Sequence, residues 1–322
     1  MNDRHPRGNP VIAIAGAFAL GTAVVVAAIA TERRSPRAAD ADPAEATVEY
    51  GRRLLRETGR LLGPDHPDPA MHYSGTSMAC AACHLDVGME PGTLTLLTAA
   101  AKYPRFSGRD GGERDLRDRI NGCMVRSMSG RELPRDSAEM TAMVAYITRL
   151  GAEHDLMGAT RRAADEPPAF AEPDRAASPE AGRVVYERRC MLCHGANGAG
   201  LHSADATGGY VFPPLWGPDS YNIGAGMHRV LTAAAFIKAR MPLGEANLTD
   251  AEAFDVAAYI NSHPRPEMSG LDADYADRTT KPIDSPYPPW ADPFPAAQHK
   301  YGPFAPIREY YKRQRAGSTP DR

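Results

Sequence analysis

The chain has 322 residues, a formal net charge of -3 and 43% hydrophobic content. That length suggests two domains plus extra segments, and the slightly acidic balance excludes a nucleic-acid binder built on overall basic charge. No strand-period segment stands out, so the expected class is mainly α.

At the N-terminus, Val11 to Ala30 carry no charge and follow Arg4 and Arg7. A stretch of about twenty apolar residues is long enough to cross a bilayer, and Ala28-Ile29-Ala30 also suits a signal peptidase. Residues 1–32 therefore read as either a cleaved export signal or a retained membrane anchor. Both readings put the remainder outside the cytoplasmic membrane, in the periplasm. A polar Pro/Ala-rich tether starts at Arg33. A helix is predicted over Ala44 to Leu62, where Val48, Leu54, Leu55, Leu61 and Leu62 recur at near-helical spacing. Gly63-Pro64 ends it.

Next comes Cys80-Ala81-Ala82-Cys83-His84, a pattern repeated at Cys190-Met191-Leu192-Cys193-His194. Cys-x-x-Cys-His is how a c-type haem is attached: the two thiols form thioethers with the vinyl groups and the His supplies the proximal nitrogen. Two copies predict two covalently bound haem c groups, on Cys80 and Cys83 and on Cys190 and Cys193, with His84 and His194 as axial ligands. Disulfides or a zinc ribbon would leave both histidines without a role.

A helix is expected over Ser137 to Leu150, capped by Asp136-x-x-Glu139, with Met140, Met143, Val144 and Ile147 on one face. Residues 161–179 form a Pro/Ala/charge linker. The scheme then repeats. A helix from Pro179 to Arg189 leads into Cys190, and one from Leu231 to Arg240 leads to Met241-Pro242. Thr249-x-x-Glu252 opens a closing helix over Asp250 to Ser262. Val144-Ala145-Tyr146-Ile147 matches Ala257-Ala258-Tyr259-Ile260, an internal repeat. Each half resembles a class I cytochrome c, so two tandem haem domains are expected, at residues 33–160 and 180–265. Residues 266–322 are Pro-rich but carry Tyr287, Trp290, Phe294, Tyr301 and Phe304, too many aromatics for a disordered tail. An extended arm wrapped over the domains is expected, with its last ten residues loose.

Of five cysteines, haem attachment consumes four and leaves Cys123. Met241 is the candidate sixth ligand of the second haem, where a thioether raises the potential. Lys238, one helical turn earlier, is the other donor. At the first haem two residues compete. Met128 lies eight residues before the cap residue Asp136, as Met241 does before Thr249. Cys123 lies five residues before Met128 and follows Gly122, and an exported unpaired thiol is accounted for if its thiolate sits on a metal. A bland structural thiol is the third reading.

Three sets of residues carry a family resemblance. They are Asp118 to Gly130 with Leu133-Pro134 and Ser137 to Met140, then Val211 to Asn222 with Gly224 to Met227, and Gln298 to Phe304. These blocks resemble the dihaem cytochrome c thiosulfate dehydrogenases that form tetrathionate, over roughly residues 45 to 312. The resemblance implies His84/Cys123 ligation at the first haem and His194/Met241 at the second. In some relatives a Lys immediately before the Met can replace it, but here that position is Arg240. The resemblance also implies oxidation of two thiosulfate to tetrathionate by way of a cysteinyl S-thiosulfonate on Cys123. Two electrons pass through both haems to a soluble c-type cytochrome or similar acceptor. Joining two dianions requires fixed positive charge. Lys102 to Arg126 holds seven basic residues against four acidic ones. Arg109, Arg119 and Ser127 are the candidate substrate contacts beside Cys123, with Gln298 and Lys300 returned by the arm as further candidates. Helical pairs such as Arg114/Asp118 account for other charges. The alternatives are a dihaem electron carrier with Met128 as ligand, and the same enzyme working as a tetrathionate reductase. A dihaem peroxidase ranks last, because it needs an open or displaceable haem face.

Overall fold

The computed structural model describes residues 42–156, 170–204 and 209–317. The apolar segment 11–30, the tether up to residue 41, residues 161–169 of the linker and the last five residues lie outside that set. Among the described residues no helix is long and apolar enough to cross a membrane.

Helix α1 (Pro43–Arg56) starts at Asp42, whose carboxylate accepts from the Ala44 N–H, with proline in the first turn. A second short helix, α2 (Thr58–Leu62), follows a non-helical Glu57 at φ -122° and ψ 35°. The single helix expected over residues 44–62 is thus broken. The reason lies in Thr58, which is fully buried and turned to meet the first Cys-x-x-Cys-His loop. Its hydroxyl donates to Leu54 O at 2.8 Å and accepts from Cys80 N–H at 3.0 Å.

Helix α3 (Leu116–Arg126) carries a reciprocal capping box between Asp115 and Asp118. Helix α4 (Ala138–Leu156) is capped by the Ser137 hydroxyl, which accepts from Met140 N–H at 3.1 Å. The expected Asp136/Glu139 pair does not form the cap, because the Tyr50 hydroxyl donates to Glu139 instead. In the second half come α5 (Pro179–Arg189), α6 (Met191–His194), α7 (Val230–Arg240) and α8 (Asp250–Ser262); α5, α7 and α8 lie where the pattern put them, the single turn α6 was not anticipated, and Thr249 and Glu252 form their capping box. Two antiparallel hairpins were not anticipated: β1 (Arg105–Ser107) with β2 (Gly112–Arg114), and β3 (Leu201–His202) with β4 (Tyr210–Phe212). Strands of two or three residues are too short to show alternation.

Each half is built on the crossing of its first and last helices. Helix α1 packs on α4, and α5 packs on α8. A glycine sits at each crossing. A Cβ on Gly51 would lie 2.0 Å from Ala142 O and 2.8 Å from the Tyr146 Cβ; one on Gly182 would lie 2.0 Å from Asp255 O and 2.9 Å from the Tyr259 Cβ. The matched tyrosines of the internal repeat are therefore the residues against which each glycine closes. Leu54, Met124, Met140 and Tyr146 centre one core; Tyr186, Phe254, Phe304 and Ile307 centre the other.

The C-terminal arm is not extended throughout. It ends in α9 (Ala296–Tyr301) and α10 (Ala305–Gly317), so the segment expected to be loose is helical as far as residue 317. Phe304, Ile307 and Tyr311 enter the second core, which is what orders it. Upstream, the fully buried Asp284 accepts from the Arg229 guanidinium and from Leu231 N–H. It caps α7, whose own N-cap, Arg229, supplies no side-chain acceptor.

The halves meet through residues 216–228. Ser77 N–H donates to Asp219, the Ser129 hydroxyl donates to Ser220 O, and the Asn222 side-chain amide donates to Val125 O. Met227 packs on both cores. We expect Gly51→Ala and Gly182→Ala each to cost about 1–3 kcal/mol through overpacking. Gly112→Ala, where nothing lies within 4 Å of the added carbon, serves as the near-neutral control. Denaturant unfolding of the three variants reads the difference.

Candidate active site around Cys123

Both Cys-x-x-Cys-His loops present their histidine in the same way. His84 Nδ1 lies 2.7 Å from Leu94 O, and His194 Nδ1 lies 2.9 Å from Pro213 O. A ring that donates Nδ1–H to a carbonyl is fixed in orientation and keeps Nε2 as its free acceptor. That tautomer is the one an iron ligand needs. All five cysteines are unpaired, so the attachment thiols remain available for thioethers. These residues fit c-type haem at both loops.

Cys123 lies in the last turns of α3, with Arg119 one helical turn before it. Burial alone pushes the Cys123 thiol up. The Arg119 guanidinium, a hydrogen bond with His84, the His84 charge and Arg109 together outweigh burial and bring it down to about 7. The thiols beside it move the other way: burial raises Cys80 to about 11 and Cys83 to about 12. Cys123 is therefore the sulfur prepared to be an anion, and it faces the imidazole that serves the first haem loop. Arg119 is raised in turn, chiefly by Cys123, and it hydrogen-bonds the Tyr103 side chain.

Arg109 follows the β1 strand, and its charge adds to the lowering of the same thiol. Its Nε donates to the Tyr275 hydroxyl at 3.3 Å and lies 3.9 Å from an Asp274 oxygen. Arg126, at the end of α3, donates to Asp274 at 2.7 Å. Ser127 is the residue after α3, its N–H bonded to Cys123 O, which keeps it one turn from the sulfur. Arg114 pairs with Asp110 at 3.0 Å and lies 3.9 Å from Asp118, so it belongs to the solvated face as the spacing suggested.

Met128 is nearly fully buried among the first-half core residues. Met241, its equivalent in the repeat, packs likewise against the second core. Gln298 donates its amide to Pro303 O. Lys300 is lowered by burial and by Arg265, whose guanidinium stacks 4.3 Å over Tyr221. Neither is among the groups that set the Cys123 charge. In the second half, Met241 caps α7 and packs against the second core. Lys238 is tied to Leu248 O at 2.8 Å and lies 3.8 Å from Asp250. Arg240 crosses to the first half and binds Glu90 at 2.6 Å. Asp274, Tyr275 and Tyr103 were missed by sequence reasoning. The arm residues carry no motif, and Tyr103 stands in an irregular turn.

A family profile described as "SoxA/TsdA, cytochrome c domain" matches residues 72–155. One described as "Cytochrome C oxidase, cbb3-type, subunit III" matches residues 177–260. The two halves are thus tandem cytochrome c domains. A thiosulfate dehydrogenase of Allochromatium vinosum is 36% identical over 268 residues, covering 81% of this chain and 97% of the relative. The chain belongs to the thiosulfate dehydrogenase family. A second member, from Stutzerimonas stutzeri, is 40% identical over 218 residues, covering 66% of this chain and 68% of that one. Among solved structures, the thiosulfate dehydrogenase (TsdBA) of Marichromatium purpuratum in its as-isolated form is similar at 35% identity with a TM-score of 0.62. The match covers 73% of this chain and half the length of that one.

Thr58 is the device that seats the first haem loop. Thr58→Val removes the acceptor of the Cys80 amide, leaving it unpaired in a buried site, and should destabilise the protein by about 1–3 kcal/mol. Thr58→Ser should restore most of that. Thermal unfolding of the two variants against the wild type is the measurement.

Proposed function

We propose that this chain oxidises two thiosulfate dianions to tetrathionate at Cys123, in the periplasm. The observation that carries the reading is a half-buried thiol lowered to about 7 chiefly by Arg119, with Arg109 adding to it, in a chain of this family. Cys80, Cys83, His84 and Cys123 would hold one haem. Cys190, Cys193, His194 and Met241 would hold the second. Bound haem supplies the one-electron acceptors that pass charge on to a soluble c-type cytochrome or similar carrier. The apolar segment 11–30 is the basis for export or membrane attachment.

The residues divide the work by charge. Arg109 and Arg119 attract a dianion toward a sulfur that is itself anionic, and their fixed guanidinium groups offset the repulsion. The Cys123 thiolate and the terminal sulfur of one thiosulfate join in a disulfide-like S–S bond, with loss of two electrons. This gives a cysteinyl S-thiosulfonate of net charge -1. The terminal sulfur of a second thiosulfate then attacks the thiosulfate-derived sulfur of that bond. Tetrathionate forms by this exchange, and Cys123 leaves as thiolate with no further change in oxidation state. The same exchange run backward splits tetrathionate, so the geometry serves either direction.

Cys123→Met should keep both haems, as read by the pyridine haemochrome spectrum, while thiosulfate turnover with ferricyanide falls to near zero. Wild-type turnover in that variant would refute the assignment. The pH dependence has a definite sign. The thiol is depressed from its ordinary value of 9, so the thiolate is present above about pH 7 and is lost below it. Arg119→Gln removes the foremost lowering influence and lets the thiol rise toward its ordinary value. The acid limb of kcat/KM should then move to higher pH by about one unit or more. A limb that stays in place would show that Arg119 does not govern the sulfur.

A further inference from the structure

The C-terminal arm does more than cover the second domain. Its residue Asp274 is nine-tenths buried, accepts two hydrogen bonds and lies beside a further guanidinium. Oδ1 accepts from Arg126 Nη2 at 2.7 Å, Oδ2 accepts from the Tyr287 hydroxyl at 2.7 Å, and Arg109 Nε lies 3.9 Å from Oδ2. The next residue, Tyr275, holds Arg109 from two sides. Tyr275 N–H donates to Arg109 O at 2.8 Å, and the Tyr275 hydroxyl accepts from Arg109 Nε at 3.3 Å. The guanidinium also lies over the Tyr275 ring, 5.5 Å from its centroid. Tyr275 adopts φ 59°, an unusual conformation for a non-glycine residue that turns the chain there. The adjoining Gly108 is closed against Thr280 of the same arm: an added Cβ would lie 2.9 Å from the Thr280 hydroxyl.

We propose that Asp274, with Tyr275, is a positioning residue that aims Arg109 at the sulfur-oxyanion site beside Cys123. The proposal rests on the function set out above and adds an arm residue to it. Arg109 spends its Nε on the arm. Among the described residues its two terminal nitrogens have no hydrogen-bond partner, which leaves the paired donors of the fork free for an oxyanion. One carboxylate stands between two guanidinium groups. Its closer contact is with Arg126, so the Arg109 charge is oriented without being cancelled. Arg126 has its own reason to be fixed. Gly224 leaves room for it, since a Cβ there would lie 2.7 Å from Arg126 Nη1. Its backbone carbonyl accepts from Asn222 N–H of the second half. Asp274 thereby links three parts of the fold at one point: α3, the segment after β1 and the arm.

The test is a double-mutant cycle on the haem-loaded full chain, with two readouts. Thiosulfate binding is measured by calorimetry without acceptor, and turnover is measured with ferricyanide. Asp274→Asn should raise Kd and KM about tenfold and change kcat less than threefold, and Asp274→Glu should restore most of the loss. In an Arg109→Gln background, Asp274→Asn should have little further effect, because the residue acts through that guanidinium. An Asp274→Asn effect of equal size in both backgrounds overturns the proposal, as does a fall in kcat with KM unmoved. If Asp274→Asn does not accumulate, Tyr275→Phe decides the matter. It removes only the hydroxyl acceptor and should raise Kd and KM in the same direction by a smaller factor; unchanged values overturn the proposal. Wild-type protein that binds thiosulfate without oxidising it would defeat the functional reading alone, and the cycle would then be read on Kd. Wild-type protein that does not bind thiosulfate would defeat both.

Discussion

A sulfur anion in a buried site is costly unless fixed positive charge surrounds it, and that constraint organises this molecule. Cys123 meets it with Arg119 one turn earlier on the same helix and Arg109 from the segment after β1, with the His84 side chain of the first haem loop as a further lowering influence. Three separate stretches must be held in register for one thiol to sit near neutrality while Cys80 and Cys83 are driven upward. The helix crossings at Gly51 and Gly182 provide the scaffold, and the capping box of α3 fixes the start of the helix that carries the sulfur.

The field that stabilises the thiolate also suits a doubly charged substrate. A pair of guanidinium groups that lowers a thiol is the same pair that draws an oxyanion toward it. In the function proposed above, substrate approach and nucleophile preparation are one electrostatic arrangement. Some of the neighbouring charge is neutralised: Arg114 pairs with Asp110 and Arg126 with Asp274.

Much of this was legible in the sequence. The haem loops, the repeat, α5, α8 and the Thr249/Glu252 box follow from local patterns, because spacing and capping chemistry are local. Cys123 stood out by arithmetic, as the thiol left over. What escaped was set by contacts between distant residues. The break at Glu57 exists because Thr58 turns to serve Cys80, and no helical period records that need. The helical ending of the arm depends on Phe304, Ile307 and Tyr311 finding the second core. Asp274 has no motif at all; its role comes from a fold that returns it to α3. The equivalence of Met128 and Met241 in the repeat has a counterpart in packing, since each methionine lies against the core of its own half. The blocks Val211 to Asn222 and Gly224 to Met227 supply many contacts between the halves, including Asp219, Ser220, Asn222 and Met227. These positions distinguish this chain from a generic cytochrome because they make two such domains into one body.

The cap that Asp284 places on α7 ties the far end of the polypeptide to the loop bearing Met241. Helix α7 begins at a carboxylate borrowed from the arm and ends at that methionine. Trimming the last forty or so residues would therefore not yield a smaller working protein. It would strip the starting anchor from one helix and, at the other end of that helix, slacken the turn that carries Met241. Chain shortening, usually tolerated near a terminus, would here be felt in the interior of the second half.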